Sequence, residues 1–326
     1  MQRWQGWLAI AALLLAAAAG ARADTILRYT MIWKIALPTP AAATRQLPRS
    51  QVIEVHGQQA LMRQGGMHVL ENLATGQITL LYPAQQEYAL TTAAELAQQV
   101  KTLRPQAPNL SAQQQQALAA MQISVDTQPA QPGTAILGVA TRQNGVTIRL
   151  KMDLAKLAGR PLPAGTAAEL DFMRIVEQVW TPSPAALQSN PALRQMATAG
   201  RQVQNMFSPM TGLQHMFPAA IGSKLAPMIQ AMEHTTQQGP ALRVHMQIFM
   251  PMVAAMLKAA QRAHPGQPMP SLDPNAPLME MDMVATELAK RPLPAGDFRV
   301  PAGYRKVTAS QILKALQPAS PGQRQP

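Results

Sequence analysis

The chain has no cysteine in its 326 residues. That excludes disulfides, thiolate metal ligands and cysteine catalysis together. Aromatics are scarce at 4% and charged residues are few at 13%. No cluster of basic residues interleaves with aromatics, so the pattern of a nucleic-acid surface is missing. Only one apolar run is long, LAIAALLLAAAAG near the start. It follows Arg3 and precedes Ala21-Arg22-Ala23, the small-x-small pattern of a cleavage site. The run is short for a membrane span. Residues 1–23 therefore read as a signal peptide cleaved after Ala23, and the mature protein as periplasmic. The lack of Cys after the run excludes a lipid anchor of the bacterial type.

The net charge is +12, and the leader holds two of those charges, Arg3 and Arg22. The remaining +10 is spread thinly. An anionic membrane surface is the partner it favours, beside the plainer reading of a solvated basic surface.

What the chain does have is strand patterning. ILRYTMIWKI, QVIEVHG, QALMRQ, HVLENL, QITLLYP and EYALTT follow one another with short turns, a meander of antiparallel strands. Thr92 and Glu95 form a capping box that opens a helix to about Leu103. MQISVDT resumes the strands. Asn144-Gly145, between two alternating runs, predicts a tight hairpin turn there. MRIVEQVW is a further strand, and Pro182 and Pro184 close it.

A Met-rich, mainly helical section spans 185–264. It is interrupted by the strand LRVHMQIFMP, in which Val244, Met246, Ile248 and Met250 share a face. Pro251 suits the first turn of a following helix. Met279, Met281 and Met283 alternate with Glu280 and Asp282, as in an edge or wall strand with methionine inward. If 243–250 and 278–286 pair, Arg243 and His245 face Glu280 and Asp282 on the other side. Residues 317–326 read as a disordered tail.

The order of these pieces resembles the LolA/LolB-like superfamily, the outer-membrane lipoprotein carriers, and within it a group of exported proteins with that fold. VIEVHGQQALMRQGGMHVLENLATGQITLLYPAQQEYAL, with Arg63, Tyr82 and Tyr88, carries the resemblance first. IVEQVWTPSPAAL and the closing DFRVPAGYRKV carry it further. The resemblance implies an α+β fold over residues 24–307. It would be a strongly curved antiparallel half-barrel, with helices covering a concave face that holds acyl chains in the carriers. The Met-rich section is long and Pro-broken for that pattern.

No catalytic motif is present: G-x-S-x-G, H-E-x-x-H, the P-loop and the dinucleotide fingerprint are all missing. The six histidines are dispersed. The chain therefore reads as a non-enzyme without a cofactor. The favoured function is a binding or carrier protein for an apolar ligand: a lipid, an acyl chain, or a lipidated or unfolded protein. Met246, Ile248, Met250, Met279, Met281 and Met283 would line the site from strands, and Met206, Phe207, Met210, Met216 and Phe217 from helices. Methionine suits such a wall because it repacks around varied shapes. Two other readings stand beside it. One is soft-metal binding, notably of copper, by the neighbouring pairs Met67-His68, His215-Met216 and His245-Met246. The other is a structural envelope protein whose core is closed.

Overall fold

Leu27, Tyr29 and Met31 are buried while Arg28, Thr30 and Ile32 are exposed. That period of two makes the first described segment a strand with two unlike faces. The computed structural model describes residues 24–36, 47–103, 120–158, 169–197, 199, 239–264 and 272–316.

In chain order the strands are β1 (Thr25–Ile35), β2 (Ser50–His56), β3 (Gln59–Gln64), β4 (Met67–Asn72), β5 (Gln77–Tyr82) and β6 (Glu87–Thr92). Helix α1 (Ala93–Leu103) follows, then β7 (Met121–Pro132), β8 (Thr141–Asp153), α2 (Leu154–Ala158), β9 (Glu169–Pro182) and α3 (Pro184–Ser189). After these come β10 (Arg243–Phe249), α4 (Pro251–Ala263), β11 (Met279–Lys290), β12 (Arg305–Lys306) and α5 (Ala309–Ala315).

The twelve described strands form one sheet in the order β12-β6-β5-β4-β3-β2-β1-β11-β10-β9-β8-β7. Two meanders, β1 to β6 and β7 to β11, meet where β11 pairs with β1. Every pairing is antiparallel except the short β12–β6 contact. The protein is thus a mixed α+β fold dominated by one open, mostly antiparallel sheet. The methionine strand β11 lies inside it, between β1 and β10, and not at an edge.

The predicted pairing of β10 with β11 is present, with His245 opposite Asp282. Arg243 donates two hydrogen bonds to Asp282, at 2.9 and 3.0 Å, from beneath the Trp180 ring system it stacks on. Glu280 is taken instead by Lys34 of β1, at 2.7 Å. The hydrogen bond raises the Lys34 pKa and lowers that of Glu280.

Asn144-Gly145 does not make a turn. Strand β8 runs through both, and the chain reverses at Leu137-Gly138, where both residues have positive φ and Ile136 bridges Val139. Gly145 serves a different need. A Cβ there would lie 2.5 Å from the Gln128 side chain, beside the register shift in β7. A glycine within a strand marks such a close approach.

On the face that carries Tyr29, helical residues share a buried cluster with residues of β1–β6. Leu96 of α1, Ala309 and Ile312 of α5, and Leu193 and Met196 share one buried cluster with Leu27, Tyr29, Ile53, Val55, Met62, Val69 and Leu80. The capping box is as expected: Thr92 N–H donates to Glu95 at 2.9 Å, and Glu95 N–H donates to the Thr92 hydroxyl at 3.2 Å. Thr308 and Gln311 form a second capping box on α5. On the opposite face, the closing DFRVPAGYRKV segment sets Phe298 against Leu61, Leu70 and Leu81.

Tyr29 anchors the middle of the sheet. It is fully buried, and its hydroxyl donates to the Ala241 carbonyl at 2.8 Å, reaching the chain that leads into β10. Tyr29→Phe leaves that carbonyl without its donor, and should cost about 1–2 kcal/mol in denaturant unfolding.

Candidate functional site

Beyond β1 the Tyr29 face continues as a second cluster, and its composition changes. Strand register aligns its side chains in three rows. Ile35, Met279, Ile248, Ile175, Ile148 and Val125 form the first. Trp33, Met281, Met246, Glu177, Val146 and Thr127 form the second. Met31, Met283, Val244, Val179 and Asn144 form the third. The rows follow from alternation alone, since residues of like parity on paired strands share a face.

This cluster includes Met121, Leu150 and Met173 as well, and among the described residues it contains no member of a helix. The strand residues expected to line a site are therefore brought together. Met246 and Met281 are opposite one another and almost wholly buried, Ile248 is buried, and Met250, Met279 and Met283 are half-buried around them. Met206, Phe207, Met210, Met216 and Phe217 lie outside the described residues.

The pairs considered for a soft metal are not brought together. Met67 and His68 sit on β4, and His245 and Met246 on β10. Five strand spacings separate β4 from β10 in the sheet order, about 24 Å. Within each pair the side chains point to opposite faces. His215 and Met216 lie outside the described residues. Burial, followed by the Arg63 cation opposite it, pushes the His68 pKa down. Met62 accepts a hydrogen bond from the Gln51 amide at 2.9 Å and Met31 from the Gln64 amide at 4.0 Å. No group of three or more His, Cys, Asp or Glu that could hold a metal ion occurs among the described residues.

Two glutamates stand out on the Tyr29 face, and sequence reasoning missed both. Glu177 is opposite Met246 on one side and Val146 on the other. Glu71 is opposite Ala60 and Ile78. Both are buried, at 7% and 1% exposure. Neither Glu71 oxygen has a hydrogen-bond partner, nor does Oε2 of Glu177. Burial against apolar neighbours disfavours the charged form and raises each carboxyl to about 7. For Glu177 a signal was available, because IVEQV places it in phase with Ile175 and Val179. For Glu71 it was weaker, since HVLEN has apolar residues in both phases.

No protein-family model matches the chain, and no curated protein matches it in sequence. No described helix is long and apolar enough to cross a membrane.

Proposed function

We propose that this protein is an exported carrier or binding protein for an apolar ligand, such as a lipid, an acyl chain, or a lipidated or unfolded protein, and that it performs no catalysis. In this reading residues 1–23 direct export, and the sheet curls into a half-barrel with the Tyr29 face concave. The observation that carries the proposal is the extent of that face over β7–β11. Three aligned rows, mostly of aliphatic and thioether side chains, run across β1 and β7–β11, and among the described residues helical side chains join only the cluster over β1–β6. A surface that combines methionine with branched aliphatics can repack around different apolar shapes.

Native mass spectrometry of protein purified from the envelope of its own cell tests the reading. The expected spectrum contains adducts of lipid mass that organic extraction removes. Repeated preparations giving only the bare polypeptide mass would overturn it.

A further inference from the structure

Three residues on the Tyr29 face of β8 and β9 hold buried polar atoms with no hydrogen-bond partner: Glu177 through Oε2, Asn144 through Oδ1 and Thr181 through Oγ1. All three are more than nine-tenths buried. Asn144 is opposite Val179 and Glu177 is opposite Val146, so the two are diagonal cross-strand neighbours, about 7–8 Å apart at the backbone. Thr181 is four residues from Glu177 along the strand, about 13 Å away, and falls outside the reach of the same group.

An unpaired buried acceptor is costly, and native proteins keep few of them. Here two lie side by side within a wall made mostly of aliphatic and thioether side chains. Glu71, the other lone carboxyl, has no polar neighbour in register: Ala60 and Ile78 flank it. Among the described residues, the cations Arg243 and Arg174 on the paired strands are on the other face. Arg243 pairs with Asp282 and stacks on Trp180, and Arg174 stacks on Phe249 at 4.1 Å.

We propose that Glu177 and Asn144 bind the ammonium head of an amphiphile, a primary amine on an apolar chain that lies along Met246, Met281, Ile175 and Ile148. The assignment rests on the carrier reading and adds the chemistry of the head group. Ionised Glu177 and the Asn144 carbonyl are both acceptors, so the ligand must bring donors. An ammonium brings three N–H donors and the compensating charge. A hydroxyl brings one hydrogen and serves one of the two. A carboxylate or phosphate head brings like charge and is repelled.

Calorimetric titration of the purified full-length mature chain with decylamine, decanoate and decanol at neutral pH tests this. The amine should bind about ten-fold or more tighter than the other two, the ratio that a charge-assisted hydrogen bond supplies. Glu177→Gln, which keeps the side-chain shape, should erase that preference by weakening the amine more than the alcohol. Asn144→Leu should reduce the preference by a smaller factor. If decanol and decanoate bind but the amine binds no tighter, or if Glu177→Gln leaves the preference intact, the head-group assignment is wrong and the carrier reading stands. If none of the three binds, both fall.

Discussion

At pH 8 the Glu177→Gln protein should be about 3 kcal/mol more stable than the parent, and at pH 4 the two should unfold alike. The reason is the raised carboxyl, at about 7 in the fold against an ordinary 4.5. Below the ordinary value the side chain is neutral in both folded and unfolded chains, and burying it carries no charge penalty. As pH rises from 4.5 through 7, the unfolded chain ionises first and is favoured, so stability is lost across that window and stays lost above it. Glutamine cannot ionise and does not pay the penalty. Glu71→Gln should act in the same direction, since burial raises its carboxyl to about 7 also. The two residues are on β4 and β9, six positions apart in the sheet order, so their effects should add. Urea unfolding of the parent, both single variants and the double variant at the two pH values measures this. A parent whose stability does not fall between pH 4 and 8 more than the double variant's does would refute it.

Met281→Glu should destabilise the protein by more than about 5 kcal/mol at pH 8, enough to abolish a cooperative transition in a protein of ordinary stability. Met281 is 1% exposed between Trp33 and Met246. The change removes a buried apolar side chain, a loss of about 2–5 kcal/mol by itself. It also places a carboxylate where Glu177, one strand beyond Met246, already bears the cost of burial. Met281→Leu conserves volume and should stay within about 1.5 kcal/mol. Circular dichroism on heating separates the outcomes: loss of the transition in the Glu variant and its retention in the Leu variant. An intact transition in the Glu variant would show that this position tolerates charge, and that the face admits water there.

Much of the fold was legible because it depends on local pattern. Alternation located the long strands other than β8, which it divided at Asn144-Gly145, the Thr92–Glu95 box located α1, and Pro251 marked the start of α4. The supposed β10–β11 pairing is present, although Asp282 took Arg243 and Glu280 turned to Lys34 on a strand the pattern had not placed beside it. What failed depended on distant neighbours. Asn144-Gly145 carries the strongest turn signal of its length, yet the space Gly145 needs is created by Gln128 on another strand. The pairing of β1 with β11 has no local signature. The isolation of Glu177 is likewise a property of the strands on either side, since the same residue in the same phase is ordinary when a cation faces it. Thr308-Ala-Ser-Gln311 was a readable cap that went unread.

The seam between β1 and β11 sets an order on folding. Arg28 and Glu287 meet across it at 3.1 Å although 259 positions separate them in the chain. The β1–β6 meander needs only neighbouring strands, whereas one edge of β1 has no partner until the chain has been completed through Lys290. Contacts of that separation are slow to close. For that interval a strand bearing Tyr29, Met31 and Trp33 presents open backbone donors and acceptors, the condition under which strands pair with the wrong chain. The step most exposed to aggregation is therefore the joining of the two meanders, and conditions that speed β11 onto β1 should raise the yield of refolded protein.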